Sequence, residues 1–466
     1  MITTDVCVVG GGPAGATAAI RLVMLGYRVC LVERDAAPRR RVGESLSPGV
    51  LVGLASLGLR DALLATPLLR PSSACIRWDS PAEVQRPGAG FLCDRGQLDP
   101  WLQGHARARG VDVLQPGQAR GLTRRPAGLV VHVDTPGGPI DIQARFIVDA
   151  CGREGLIPAV RRPTAPRTFA IHGHFAGVGL PGTTCVEARP DGWLWGAPLP
   201  GGLFSAMAFV EPGALRVGGR RGLTAALCDP LAASASLTAC VPALLVAPPR
   251  ALDASCRMDL APIGVDYVKV GEACYTLDPL SATGVDKAIA SALLAASAVH
   301  TILTHPERAA SAIRFYEQRV RESVDQHIHW TAEAYARPQD LQDRPFWQQR
   351  ATPWAPPSSA KEPSRPAHVG LSTPITLAPE VQIIDLPCLI GDLIAPHHAL
   401  SHPGLTRPLG FLDGMAIAPL LDQVVRGAPL LATVELWARL VPAQRALALC
   451  GWLLRHGILI PMPTAP

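Results

Sequence analysis

Two short hydrophobic runs near the start of the chain are separated by a glycine-rich segment and a stretch of small, mostly apolar residues. The runs Val6–Val9 and Val29–Val32 contain no charged side chain, which is typical of buried parallel strands. Residues 16–25, which lie between them, have the pattern of a helix. The pattern predicts a strand–helix–strand unit that opens an α/β fold.

The turn between the first strand and this helix contains three glycines. Gly10, Gly12 and Gly15 have the G-x-G-x-x-G spacing, which allows a tight turn, close approach of the backbone to a pyrophosphate, and close helix packing. The helix N-terminus would direct free N–H groups towards the phosphates. Glu33 ends the second strand, where a carboxylate can accept hydrogen bonds from a ribose. The unit predicts a dinucleotide site, without separating FAD from NAD.

Further along the chain, the hydrophobic pattern alternates between two kinds of strand. Strands that return to the opening unit are predicted at residues 129–133, 140–142 and 146–152. Strands of a separate antiparallel sheet are predicted at residues 168–175, 192–197 and 202–209. Trp193 and Trp195 alternate in one of them, so both side chains point to one face. We therefore expect a nucleotide-binding domain of residues 1–168 and 252–350, interleaved with a substrate-binding sheet domain of residues 70–92 and 169–251.

The last part of the chain is set apart by composition. Residues 351–367 contain five prolines, so residues 351–368 are predicted to be a linker. Residues 369–466 are enough for a small domain. Helical patterns at 416–425, 431–440 and 443–456, followed by a short strand, predict a mainly helical, winged-helix-like module.

In the middle of the chain, within the predicted substrate-binding domain, residues 225–246 are predicted to be mostly helical.

Bulk composition narrows the class of protein. The 466 residues are 48% hydrophobic and 17% charged, as in a globular chain with a large core. A net charge of +5 is too small to indicate nucleic-acid binding. Twelve scattered cysteines without a C-x-x-C pair indicate a reduced, cytoplasmic protein. The early first strand leaves no room for a signal peptide, and no membrane span is expected.

Three motifs that lie far apart in the sequence resemble those of group-A flavin monooxygenases and flavin-dependent halogenases, over roughly residues 1–335. They are the glycine turn with Glu33-Arg34, the segment 94–99 containing Arg95, and the segment from Gly271-Glu272 to Gly284. The resemblance implies an FAD-binding Rossmann-like domain of the glutathione reductase type 2 class, interleaved with the antiparallel sheet. The family has Gly-Asp where this chain has Gly271-Glu272, which keeps the carboxylate but lengthens its reach.

The resemblance also implies a cofactor and a set of site residues. The cofactor is FAD, used with O2 and with an external reductant, either NAD(P)H or reduced flavin from a reductase. The implied FAD-binding residues are Gly10, Gly12, Pro13, Ala14, Gly15, Glu33, Arg34, Arg41, Gly43, Glu44, Ser45, Arg95, Gly271, Glu272, Pro279, Thr283, Gly284 and Val285.

Catalytic and substrate-contacting residues are expected near the flavin. Glu44 and Asp278 are the candidate acid–base groups, because both lie in turns marked by glycine or proline. The substrate pocket is predicted to contain His172, His174, Trp193 and Trp195. No metal site is predicted, because no carboxylate or cysteine at ligand spacing accompanies the histidine pairs His172/His174, His327/His329 and His397/His398.

Within the family, the segment 43–49 and the linker with its extra domain are most similar to members that hydroxylate a tryptophan residue of a partner protein subunit during tryptophylquinone biogenesis. The resemblance implies that reaction, through a flavin hydroperoxide. Tryptophan halogenation, hydroxylation of a small aromatic molecule and lipid reduction of the geranylgeranyl reductase type stay open. Halogenation is disfavoured, since halogenases need an N-terminal lysine and the first lysine here is Lys269. The C-terminal domain is expected to dock the partner, and a flavin reductase is a second possible partner.

Overall fold

A computed structural model of the chain describes residues 1–37, 41–88, 90–126, 128–215, 219–354 and 369–462. The described residues form two compact units, one of residues 1–309 and 316–354 and one of residues 310–315 and 369–462. Most of the predicted linker, residues 351–368, lies outside the described residues, so it stays a prediction.

The first unit is built from two large sheets and the helices that cover them. Its described strands are β1 (Ile2–Val9), β2 (Val29–Val32), β3 (Ser45–Leu46), β4 (Ser73–Arg77), β5 (Val84–Pro87), β6 (Phe91–Leu92), β7 (Asp112–Leu114), β8 (Gln118–Arg125), β9 (Gly128–Thr135), β10 (Gly138–Asp149), β11 (Arg161–Pro163), β12 (Phe169–Ala176), β13 (Thr184–Arg189), β14 (Gly192–Leu199), β15 (Leu203–Val210), β16 (Leu244–Leu245), β17 (Arg250–Asp253), β18 (Arg257–Asp259), β19 (Tyr267–Lys269) and β20 (Tyr275–Thr276). The helices are α1 (Pro13–Met24), α2 (Gly49–Ala55), α3 (Arg60–Leu64), α4 (Arg95–Ala108), α5 (Gly219–Ala232), α6 (Gly284–Thr304), α7 (Ala309–Ala336) and α8 (Pro345–Gln348). Residues 310–315 of α7 are counted with the second unit.

The first sheet has the order β7-β2-β1-β10-β9-β8, and β19 also pairs with β10. Strands β1, β2, β7, β10 and β19 pair in parallel, and the hydrophobic runs of β1, β2 and the second half of β10 are buried on both faces. The strands expected separately at 140–142 and 146–152 form the single strand β10. Polar Gln143 and exposed Arg145 interrupt its hydrophobic run without ending it, because alternate residues of a strand face opposite sides.

The second sheet has the order β16-β12-β15-β14-β13-β4-β5 and two different faces. One face packs Ile171, Phe175 and Phe204 against α5 in a hydrophobic core. The opposite face bears His172, His174, Ser205, Met207, Trp193 and Trp195, as the pairing register requires. We call this opposite face the pocket face. The predicted fold class, an α/β nucleotide-binding domain with an interleaved antiparallel sheet, is confirmed.

Helix α5 ends earlier than the sequence pattern indicated. A helix was expected over residues 225–246, but α5 stops at Ala232. The Ser234 hydroxyl donates to Glu187 at 2.7 Å and accepts the backbone N–H groups of Ser236 and Leu237 at 3.1 and 2.9 Å. These bonds offer the backbone an alternative to the helical ladder, so the chain turns.

The second unit combines a small helical core with a long hairpin. Its described elements are β21 (Ile375–Leu377), β22 (Gln382–Ile390), β23 (Leu393–Ser401), β24 (Phe411–Leu412), β25 (Met415–Ala416), α9 (Ile417–Leu421), α10 (Leu430–Trp437), α11 (Ala443–Arg455) and β26 (Leu459–Pro461). The three helices and β26, which pairs with β21, agree with the predicted helical module. The hairpin of β22 and β23 was not predicted.

Helix α6 is the one described helix that is long and apolar enough to cross a membrane by length and composition. Just over half of its most apolar stretch is nevertheless buried inside the first unit, and it packs against α1. Ala292, Ala295 and Val299 are fully buried there. We therefore interpret α6 as a core helix.

Candidate active site

The glycine turn has the shape of a phosphate cradle. Gly10 has a φ of +106°, and a Cβ at Gly15 would collide with the Gly10 carbonyl oxygen. A Cβ at Gly12, by contrast, would meet no atom within 4 Å. Helix α1 begins at Pro13 with no side-chain cap, so its first N–H groups are free to bind an anion. Backbone and open space here fit the pyrophosphate of a dinucleotide.

Glu33 lies beside this turn with both oxygens engaged. It accepts the N–H of Gly11 at 2.7 Å and the N–H of Asp35 at 2.8 Å. Gln103 on α4 donates to the Gly11 carbonyl at 2.8 Å. Glu33, Gly12 and Arg41 line one pocket beside this turn. Glu33 therefore fixes the turn directly and is placed to bind a ribose at its edge.

The basic residues of this region are paired with carboxylates. Arg34 and Arg41 are partly exposed and pair with Glu154 at 2.7 Å and Asp35 at 2.5 Å. Arg95 is mostly buried and forms a two-pronged ion pair with Asp99, with N···O distances of 2.8 and 3.0 Å. The guanidinium also donates to the Val42 carbonyl at 3.1 Å. The sequence motif indicated Arg95, but neither Asp99 nor Gln103 was predicted as a site residue.

The third motif lies next to the start of α1. Gly271 has a φ of +58°, and a Cβ there would come within 2.9 Å of the Ala14 side chain. Glu272 is exposed and pairs with Arg153 at 3.3 Å. Residues 279–281 form a short 3-10 turn, and the Thr283 hydroxyl lies 2.8 Å from that of Ser281. Helix α6 then begins at Gly284, with Val285 buried.

Glu44, which directly precedes β3, contacts side chains of the pocket face. Its Oε2 accepts the N–H of Gly43 at 3.0 Å, and its Oε1 accepts the Ser205 hydroxyl at 3.1 Å. Nε2 of His172 and Nε2 of His174 lie 3.6 and 3.5 Å from the same Oε1. Ser205 was not predicted. The next residue, Ser45, lies in β3, which pairs with β6.

The Glu44 carboxylate is held in its charged form. Burial alone would raise its pKa, but the imidazoles of His172 and His174, together with the backbone N–H of Glu44 itself, lower the pKa to about 2. A carboxylate with so low a pKa is a weak proton acceptor near neutral pH. Glu44 is therefore better suited to hold a charge or a ligand than to move a proton.

Asp278 occupies a different, buried polar cluster. Its carboxylate accepts the Tyr335 hydroxyl at 3.1 and 3.2 Å and the Leu280 N–H at 3.0 Å. Tyr335 in turn accepts the indole N–H of Trp193 at 3.1 Å. Burial raises the pKa of Asp278 above its ordinary value. Asp278 is therefore the better proton carrier of the two predicted groups.

The two tryptophans of β14 differ in exposure. Trp193 is buried, stacks on Phe209 with ring centroids 3.8 Å apart, and contacts Trp78. Trp195 is only partly buried and packs against the same hydrophobic cluster, as Leu280 also does. Of the two, Trp195 is the one able to contact a substrate.

The imidazole of His327 makes the folded state acid-sensitive. It accepts the Asp278 N–H at 2.8 Å, and burial, assisted by the charge of Lys287, lowers its pKa from 6.5 to about 4. The unfolded chain binds this proton more readily, so the stabilisation is complete above pH 6.5 and is lost as the pH falls to about 4. The loss amounts to about 3 kcal/mol.

A His327→Gln variant should remove most of that dependence. We expect the unfolding free energy of the parent to fall by about 2–3 kcal/mol more than that of the variant between pH 7 and pH 4.5. Urea titrations followed by release of bound flavin measure this difference. Asp278 has the opposite tendency, but the variant retains it, so the comparison isolates His327. Parallel acid sensitivity of the two proteins would contradict the assignment.

Comparison with known proteins gives the class. Residues 3–174 match the family described as FAD binding domain. A tryptophan 2-halogenase of Chondromyces crocatus is 30% identical over 340 residues, which cover 68% of this chain and 65% of that protein. Among the first curated relatives, the chain spans between 46% and 65% of their length. The predicted resemblance to FAD-dependent monooxygenases and halogenases is confirmed, and so is the presence of an FAD-binding domain.

Two solved structures are similar along nearly the whole chain. The peptidyl tryptophan dihydroxylase QhpG, essential for tryptophylquinone cofactor biogenesis, is 26% identical, with 98% of this chain and 99% of that chain covered and a TM-score of 0.74. The flavin-dependent halogenase CmlS is 21% identical, with 98% of this chain and 96% of that chain covered and a TM-score of 0.79. The likeness to CmlS shows the fold alone.

Proposed function

We propose that the chain is an FAD-dependent monooxygenase that hydroxylates a tryptophan residue of a partner protein subunit during tryptophylquinone biogenesis. The similarity to QhpG over 98% of this chain and 99% of that chain carries the proposal, because it includes both units. All twelve cysteines lie in the described part of the chain and none of them forms a disulfide, which supports a cytoplasmic setting.

The glycine turn, Glu33 and Arg95 would hold the FAD, with the segment from Pro279 to Val285 beside its ring. When reduced and given O2, FAD supplies the oxygen-transfer chemistry, and the reductant is NAD(P)H or reduced flavin from a reductase. The chain's own side chains position the indole on the pocket face. Trp195 and Met207 offer an apolar surface there, and His174 a polar edge.

In this proposal, Asp278 and Tyr335 accept the proton that leaves the indole. An Asp278→Asn variant keeps an acceptor for the Tyr335 hydroxyl but cannot carry a proton. We expect tryptophan oxidation to slow by about 100-fold or more, with FAD content unchanged. Turnover by the purified variant measures this, and Tyr335→Phe tests the other half of the pair. Undiminished turnover in Asp278→Asn would exclude the carboxylate from the reaction.

The second unit is proposed to capture the protein partner. Ile383, Leu389 and Ile390 on the hairpin of β22 and β23 are 38–41% exposed, which makes an apolar surface available. An Ile383→Ser, Leu389→Ser double variant, which changes two side chains on the same face of β22, should raise KM for the protein substrate about 10-fold and leave FAD binding unchanged. An Ile2→Ser variant, also exposed but in β1, is the control. An unchanged KM would remove the hairpin from the docking surface.

Tryptophan halogenation is the second candidate, favoured by the 30% identity to a tryptophan 2-halogenase. A halogenase needs a lysine that can reach the substrate. Lys269 is 1% exposed and pairs with Asp259 at 2.6 Å, so it is unsuited. Lys287, near the start of α6, is the remaining described lysine and lies close to His327.

Mass spectrometry of a modified tryptophan separates these reactions. A purified tryptophan-bearing subunit that matures to a tryptophylquinone is incubated with the FAD-loaded protein, a flavin-reducing system, O2 and chloride. We expect one or two oxygens to be added to a tryptophan residue. Addition of chlorine that a Lys287→Ala variant abolishes would establish halogenation. Turnover of free tryptophan alone would indicate a small-molecule enzyme.

A further inference from the structure

Three side chains converge at the pocket face, one of them a carboxylate and two of them imidazoles. Glu44, His172 and His174 each offer one atom that could bind a metal, and these atoms all lie within 4.8 Å of one another. The carboxylate that local spacing did not supply comes from a distant loop, while the two histidines lie two apart on β12. We propose that these three residues bind a divalent transition-metal ion, with Zn²⁺ as the best match.

The distances favour a shared cation over direct hydrogen bonds between the two imidazoles and the carboxylate. Both imidazole nitrogens lie 3.5–3.6 Å from the same oxygen, Oε1 of Glu44. Hydrogen bonds from an imidazole N–H to a carboxylate are shorter, about 2.7–3.2 Å. Two ligands bound at about 2.0–2.1 Å to one tetrahedral Zn²⁺ are separated by about 3.3–3.4 Å. The observed spacing is therefore close to that of ligands around an ion.

The remaining contacts prepare this set of ligands. The Gly43 N–H holds the second oxygen of Glu44 at 3.0 Å, which directs Oε1 towards the histidines. The Ser205 hydroxyl lies 3.1 Å from Oε1 and 3.1 Å from Nε2 of His172, where it can orient a water in a fourth position. The Glu44 side chain is 2% exposed, and those of His172 and His174 are 10% and 14% exposed. The site is enclosed except on its His174 side.

The chemistry of the donors selects the ion. Two imidazole nitrogens and one carboxylate oxygen suit Zn²⁺ and related transition ions, whereas Ca²⁺ and Mg²⁺ prefer oxygen-only sets. An ion there would tie the Gly43–Ser45 segment to strand β12 and replace a net negative charge by a positive one beside the pocket face. Three protein ligands leave a position open, as in metal sites that bind a water or a substrate atom.

Metal content of the full-length, FAD-loaded protein tests the proposal. The protein is incubated with one equivalent of Zn²⁺, passed through a desalting column and assayed for zinc by mass spectrometry. We expect one zinc per chain. Glu44→Gln and His174→Ala should each weaken Zn²⁺ binding about 100-fold or more. His132→Ala is the control, because His132 also pairs with a carboxylate, Asp141 at 2.7 Å, but in an exposed position.

A second measurement detects loss of the metal site even in variants that are less stable than the parent protein. Co²⁺ bound by two nitrogens and an oxygen gives visible absorption bands to the red of the flavin bands, which His174→Asn should abolish even where Tm falls. Retained Co²⁺ bands in that variant, or no stoichiometric zinc in the parent protein, would overturn the proposal. Zinc uptake is measured without any tryptophan substrate, so its outcome does not depend on the proposed reaction.

Discussion

Gly15→Ala should produce a protein that loses FAD during purification. The new Cβ would collide with the carbonyl oxygen of Gly10 and approach the Ala150 side chain at 3.0 Å. Both neighbours belong to the turn and to the loop that follows β10, so the strain cannot be relieved by a flexible side chain. Overpacking of this kind costs about 1–3 kcal/mol. If the bound state requires the undistorted turn, FAD binding weakens by about 10- to 100-fold.

Gly104→Ala is the matched control for this variant. Gly104 lies in the exposed part of α4, and a Cβ there would meet no atom within 4 Å. Alanine favours a helix by about 1 kcal/mol over glycine, so this variant should be slightly more stable and retain FAD. The FAD-to-protein ratio after gel filtration and a fluorescence titration compare the two. Equal affinity in both variants would show that the turn does not hold the pyrophosphate.

The nucleotide side of the site was predictable because its signal is local. The strand, the glycine turn, α1 and the acidic end of β2 follow one another within the first 33 residues, and each has a separate physical cause. The partners that complete it were not predictable. Gln103 and Asp99 reach the site only because α4 packs against α1.

The pocket side depends on pairings between distant segments. The alternation on β12 indicates that His172 and His174 share a face, but nothing in the sequence places Glu44 against them or Ser205 between them. Tyr335, at the end of α7, likewise meets Asp278 only in the folded chain. Such contacts are set by how the sheet and the loops pack, and no spacing encodes them.

The hairpin of the second unit was missed for a different reason. Its strands contain Pro387 and Pro396, which lie directly opposite each other. Proline lacks the N–H that a strand ladder uses and argues against a strand in a sequence pattern. Most side chains of β22 are partly or fully exposed, so no regular alternation of buried and exposed positions shows through.

Lys269→Met should destabilise the first unit by about 3–5 kcal/mol, the cost of leaving a buried carboxylate unpaired. The Lys269 ammonium donates to Asp259 at 2.6 Å and to the Pro158 carbonyl at 2.9 Å. Asp259 is 1% exposed, so water cannot replace the lost partner. Denaturant unfolding followed by flavin release should show the loss, and Lys269→Met with Asp259→Leu should recover much of it.

Arg120→Met is the matched control, because it removes an exposed ion pair and so tests whether burial causes the stability loss of Lys269→Met. Arg120 and Asp134 form an ion pair of almost the same length, 2.7 Å, but their side chains are 56% and 52% exposed. Exposed pairs contribute about 0–1 kcal/mol, so this variant should be nearly neutral. If Lys269 instead carried halogenation chemistry, Lys269→Met would keep its stability and FAD and lose only chlorination. A large stability loss therefore assigns Lys269 to the fold and leaves Lys287 as the described lysine that a halogenase would have to use.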